Sequence, residues 1–195
     1  MAKIGLRYPV AAPLTENETE TSYTGGKVIG KAINSDININ SNDVKLYADD
    51  VIAESDKSFK DGNVKIGVDD LDYETQAMLL GHKVSEEGEL VANADDTAPF
   101  VGFGFYGPTK KNNVLGFRAI FLHKVQFAEP AESITTKGET VSFQTPVLEG
   151  TIYTDVKGDW KSEKTFPTEA EAKTWLETKA GIKKSESGTP EQGTT

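Results

Sequence analysis

The chain has 195 residues, enough for one domain with a short appendage, and 36% of them are hydrophobic and 27% charged. Its formal charge of -10 argues against a surface that grips nucleic acid through clustered Lys and Arg. The absence of cysteine excludes disulfides, thiolate metal sites and a cysteine nucleophile, and suits assembly in a reducing cytoplasm.

The opening Met1-Ala-Lys-Ile-Gly-Leu-Arg-Tyr-Pro-Val10 lacks the continuous apolar stretch of a signal peptide, and no segment has the length of a bilayer span. Neither general-pathway export nor a membrane partner is expected. Asn17-Glu18-Thr19 fits the glycosylation sequon, an accidental match without a secretion signal.

The first clear strand lies within residues 27–47, where Ile33, Ile37 and Ile39 alternate with Asn34, Asp36, Asn38 and Asn40. The spacing predicts one dry and one wet face. Val44 and Leu46 renew the alternation after Ser41-Asn42-Asp43. Residues 48–62, between this strand and Val64, Ile66 and Val68, read as a long loop ending in an Asp61-Gly62-Asn63 turn. Asp70 is the expected N-cap of a short helix carrying Leu71, Met78 and Leu79 inward and stopped by Gly81. His82–Ala92 reads as a weak hairpin around Glu87-Gly88.

The richest strand signal is residues 100–127, a long hairpin with its turn within Pro108–Asn113. On the return strand Leu115, Phe117, Ala119, Phe121, Val125 and Phe127 oppose Arg118, Lys124 and Gln126. Val141, Phe143, Thr145 and Val147 continue the period of two, with Pro146 suggesting an edge or a bulge, and Ile152-Tyr153 suggesting the end of the sheet. Thr168-Glu-Ala-Glu171 is a capping box opening a helix with Ala172, Trp175, Leu176 and Ala180 on one stripe and Gly181 after its end. Residues 183–195 carry no apolar anchor and read as a disordered tail, so the folded domain is expected to span residues 1–182.

Few residues suggest chemistry. Gly102-Phe-Gly104-Phe-Tyr-Gly107 has the dinucleotide-binding spacing, but a turn rather than a helix follows, so the glycines read as points of close approach. His123, between Phe121 and Val125, reads as a hydrogen-bonded core histidine, and His82 follows a helix end. The pairs Asp49-Asp50, Asp69-Asp70 and Asp95-Asp96 fit no spaced calcium loop and read as turns and caps. No nucleophile elbow, P-loop or kinase motif occurs, and neither a cofactor nor a metal is expected.

From the residues alone the chain is a soluble acidic β domain with two helices and no recognisable active site. Asn42-Asp-Val-Lys-Leu-Tyr-Ala-Asp-Asp50, Ala53-Glu-Ser, Gly67-Val-Asp-Asp-Leu71, Ala77-Met-Leu-Leu-Gly81 and Phe100-Val-Gly-Phe-Gly-Phe-Tyr106, with the opening Ile4–Val10, resemble the phi13-type family of phage major tail proteins over roughly residues 1–182. The resemblance implies a mainly β tail-tube fold, a β-sandwich or half-open barrel flanked by a helix. It also implies a non-enzymatic virion protein, assembled in the host cytoplasm as hexameric rings that stack into the tube of a flexible, non-contractile tail. The implied partners are further copies of the chain and the tape measure, tail terminator and distal tail proteins, with DNA passing through unbound. Asn34, Asp36, Asn38 and Asn40 are the candidate lumen face, being wet without Lys or Arg. Val51, Ile52 and Phe59 are the candidate ring-stacking residues of the 48–62 loop. The competing readings are an adhesive or receptor-binding immunoglobulin-like sandwich and a metal-dependent hydrolase that gathers His82, His123 and an aspartate pair.

Overall fold

The computed structural model describes residues 2–3, 5–48, 51–131 and 145–183. Its elements are β1 (Ala2–Lys3), β2 (Arg7–Glu16), β3 (Thr21–Tyr23), β4 (Lys27–Val28), β5 (Ala32–Ser41), β6 (Val44–Ala48), β7 (Val51–Asp56), β8 (Phe59–Val68), α1 (Tyr73–Leu80), β9 (Lys83–Val84), β10 (Leu90–Val91), β11 (Phe100–Lys111), β12 (Val114–Phe127), β13 (Val147–Tyr153), β14 (Lys161–Phe166) and α2 (Glu169–Lys179). The fold is mainly β with two helices. One ten-stranded antiparallel sheet runs β3-β2-β11-β12-β13-β8-β5, with β1 on β11, β4 on β2 and β14 on β12. No helix among the described residues is long and apolar enough to cross a membrane.

The long hairpin is the spine, but its turn is tighter than the sequence suggests. Strand β11 runs through Pro108 to Lys111, and only Asn112 and Asn113 turn, with φ of 49° and 67°. Both sit in the left-handed region that a two-residue type I′ hairpin requires and that Asn tolerates. At the other end the register steps from Val101↔Val125 to Phe103↔Leu122, leaving an extra residue on β12. At this bulge β12 changes partner: residues 117–122 pair with β14 and residues 124–127 with β13. A bulge bends and twists a strand, and this one lets a single strand serve two diverging neighbours.

The bend curls the sheet, so that Ala11 of β2 and Val64, Ile66 and Val68 of β8, far apart in strand order, share one core cluster with Phe103 and Leu122. Helix α1 closes this cluster with Leu79 and Leu80. Against the opposite face lies α2, whose Ala172, Leu176 and Ala180 pack on Val10, Ala12 and Phe121. Strand β12 is therefore covered on both faces: Ile120 and Leu122 are buried as well as Ala119 and Phe121, where one wet face was expected. Gly102 and Gly104 make room for this second layer. A Cβ on Gly102 would lie 2.5 Å from Tyr23, and one on Gly104 would lie 2.7 Å from Phe121 and 2.9 Å from Leu176.

Helix α2 starts as its sequence indicates, with the Thr168 hydroxyl accepting from the Glu171 N–H at 3.4 Å. Its first-turn Glu169 accepts from Tyr106 and pairs with Arg7 at 3.0 Å, and Glu177 accepts from Tyr8 at 2.8 Å. Strands β2 and β11 thus hold the helix at both ends. Helix α1 departs from its predicted start: Asp72, not Asp70, is the N-cap and accepts from Thr75 N–H at 2.7 Å, while Gly81 ends the helix at φ 82° as expected.

Other predicted turns and edges differ. Asp61-Gly62-Asn63 is mid-strand in β8, and Gly62 is there because a Cβ would lie 2.8 Å from Ile39 and 3.2 Å from Ile152. Strand β13 is internal rather than an edge, with Pro146 just before its first residue, and the sheet does not end with it, since β14 follows. The weak hairpin of residues 82–92 is present as β9 and β10. Val141 and Phe143 lie outside the described residues, as does nearly all of the expected tail.

Candidate functional site

Strand β5 closes one side of the sheet, and among the described residues its outer edge has no partner. Most edges of natural sheets carry Lys, Pro or bulges that forbid further pairing. Between its terminal irregularities at Ala32/Asn34 and Asn40/Ser41, β5 runs in register with β8. Its ten residues, Ala-Ile-Asn-Ser-Asp-Ile-Asn-Ile-Asn-Ser, contain no Lys, Arg or Pro and one charge, Asp36. The other side of the sheet offers β2 only in pieces, already met by β3 and β4.

Asn34, Asp36, Asn38 and Asn40 are all exposed on this strand, as the alternation requires. Asn34 accepts from Gly67 N–H at 3.1 Å and the Asn40 amide donates to Asp61, so the two ends of the row are tied to β8. Ile37 packs on the core but Ile33 is 54% exposed. The bulge at Ala32/Asn34 makes Ile33 the extra residue and removes it from the dry face.

The expected 48–62 loop is not a loop. Val51 and Ile52 belong to β7, which pairs back on β6 with Ile52 opposite Tyr47 and Val51 opposite Ala48, and Phe59 opens β8. The segment is thus a hairpin separate from the main sheet, which explains how so long a connection is accommodated. Phe59 stacks on Trp160 with ring centroids 5.0 Å apart and planes 8° from parallel, half-buried against the main core.

Two histidines gather acids. His82, with its side chain 8% exposed, faces Asp96 through Nδ1 at 3.0 Å and Glu129 through Nε2 at 2.9 Å. These hydrogen bonds, Asp96's first, raise its pKa above the ordinary imidazole value. His123, at the β12 bulge, faces Asp155 through Nδ1 at 2.8 Å and the Ser162 hydroxyl through Nε2 at 2.7 Å. Asp155 also accepts N–H groups of Lys157 and Asp159, both at 2.9 Å, and thereby shapes the turn between β13 and β14.

The Ser162–His123–Asp155 order matches that of a hydrolytic triad, a conjunction invisible in sequence because the partners come from distant strands. The surrounding backbone opposes that use. His123 N–H donates to Trp160 C=O, which fixes the ladder phase two residues away and commits the Ser162 N–H to Phe121. The serine therefore cannot offer its own N–H to an oxyanion. The arrangement holds the imidazole between Asp155 and Ser162, and residue 123 is a hydrogen-bonded histidine, as expected.

The two described acid pairs serve as turn groups. Asp69 accepts from the N–H groups of Lys31 at 2.6 Å and Asp70 at 3.0 Å, bonds that hold its carboxyl below the usual range, and Asp96 accepts from Asn93 N–H. The dinucleotide-like glycines lie mid-strand in β11, with no helix after them. His82 and His123 form two separate hydrogen-bond networks and are not gathered into one site. No protein-family model matches this chain, and no curated protein matches it either.

Proposed function

We propose that this protein is the repeating subunit of a phage tail tube, polymerising as stacked hexameric rings that conduct DNA without binding it. The observation that carries the reading is β5: a ten-residue edge strand with one charge and no Lys, Arg or Pro. An edge of that kind promotes association with another chain, and a closed ring removes every such edge by repeating one heterologous contact. The net charge of -10 supports a conduit, since acidic walls repel the phosphate backbone. On this reading Asn34, Asp36, Asn38 and Asn40 line the lumen and the β6–β7 hairpin meets the adjacent ring. The tape measure, terminator and distal tail proteins are its other partners, and it performs no catalysis. An immunoglobulin-like adhesive module would instead place its strands in two facing sheets, which the single curled sheet with α2 on its outer face does not favour.

Negative-stain electron microscopy and sedimentation of the purified protein over rising concentration test the proposal. Rings or tubes with a central hole are the expected result. A strictly monomeric species at all concentrations, even with a nucleating tail complex supplied, would refute it.

A further inference from the structure

We propose that His123, Asp155 and Asp159 form a binding site for a divalent transition metal of the zinc class, stapling β12 to the β13–β14 turn. The three donor atoms lie within 4.8 Å of one another. Zinc bonds of about 2.0–2.2 Å set tetrahedral ligand separations of roughly 3.3–3.6 Å. The His123–Asp155 pair, now at 2.8 Å, must open slightly, while Asp159, at the exposed end of its turn, closes in.

Charge and hydrogen bonding both favour the ion. The Asp155 side chain is 5% exposed and that of His123 11%, so two of the three ligands are already largely desolvated and held in place. The Asp159 carboxylate makes no hydrogen bond or ion pair with the described residues and lies beside the Asp155 carboxylate. A divalent cation would neutralise the two carboxylates. Ser162 supplies an independent element of design on the far side of the ring, 2.7 Å from Nε2. Metal-bound imidazoles donate their other N–H to such a group, which fixes the tautomer.

The proton balance is simple. In the metal-free neutral ring, Nδ1–H donates to Asp155 and Nε2 accepts from the Ser162 hydroxyl. On binding, the ring proton moves to Nε2 through solvent, Ser162 turns from donor to acceptor, and the Nδ1 lone pair goes to the metal. An imidazolium would release one proton. A nitrogen and two carboxylates suit zinc or cobalt, whereas calcium takes six to eight oxygens, in number beyond this group. Water completes the coordination.

The test uses the full chain after chelator treatment, with Zn²⁺ followed by calorimetry and thermal unfolding and Co²⁺ by visible absorption. One ion per chain should bind and raise Tm by about 5–10 °C at a hundredfold excess over Kd. Asp159→Asn should leave the metal-free Tm within about 2 °C, because its carboxylate holds no partner, yet abolish most of the metal-induced rise. Ser162→Ala should weaken binding about 10–100-fold. The assignment is overturned if millimolar Zn²⁺ leaves Tm unchanged, or if Asp159→Asn responds like the parent. A response lost instead in His82→Gln would place the ion at the other histidine and overturn it equally.

Discussion

Replacing Phe59 by Ala separates a role in the subunit from the proposed role between stacked rings. Its ring is half-buried and stacks face to face on Trp160. Full burial of a Phe side chain is worth about 1.5–3 kcal/mol, so half-burial is worth roughly 1 kcal/mol. The aromatic pair adds about 0.5–1.5 kcal/mol. The isolated subunit should therefore lose about 2 kcal/mol, a fall in Tm of roughly 4–8 °C for a domain of this size. Phe59→Leu keeps most of the apolar area but not the stack, and should lose about the 0.5–1.5 kcal/mol of the aromatic pair. Circular dichroism melts of dilute protein, paired with electron microscopy of concentrated protein, read the two roles separately. If Phe59→Ala leaves the subunit's Tm unchanged while rings cease to stack, the Trp160 contact is not what holds Phe59, and the residue belongs to the inter-ring surface.

Gly104→Ala places a methyl 2.7 Å from Phe121 and 2.9 Å from Leu176; overpacking should cost about 1–3 kcal/mol, read as a lower urea midpoint. His82 gives a pH signature. Its folded pKa is raised by Asp96 and Glu129 above the ordinary value of about 6.5, so its contribution is complete below that value and is lost as pH rises through the folded pKa. The stability gap between the parent and His82→Gln should shrink over that rise, and a gap independent of pH would contradict the pairing. On the proposed tail-tube function, Asp36→Lys combined with Asn38→Lys should permit tubes but slow DNA ejection, and added salt should partly restore the rate; unchanged ejection kinetics would remove this face from the lumen.

Local pattern made much of the fold legible. The period of two located β5, β8 and the β11–β12 hairpin, because each has at least one strictly alternating stretch. Thr168-Glu-Ala-Glu171 located α2, because capping is a contact between residues three apart. Strand β2 was illegible for the opposite reason. Pro9-Val10-Ala11-Ala12 is buried without interruption, Ala11 in one core and Val10 and Ala12 in the other, and a strand covered on both faces does not alternate. Strand β14, Lys-Ser-Glu-Lys-Thr-Phe, hid behind its charges because it lies at an edge.

Turn chemistry misled where tertiary contact overrode it. Asp61-Gly62-Asn63 has turn composition, yet its glycine answers the approach of Ile39 and Ile152. The composition, acidity and lack of cysteine were fixed by sequence alone, and with them the exclusion of a disulfide scaffold. Only the tertiary structure decided that β5 is an open edge, that Phe59 stacks on Trp160, and that His123 meets Asp155 and Ser162. Those partners lie 32 and 39 residues from His123. Sequence periodicity reports which face of an element is dry, whereas pairing order and side-chain convergence depend on how the β12 bulge bends the sheet, and no local pattern encodes that bend.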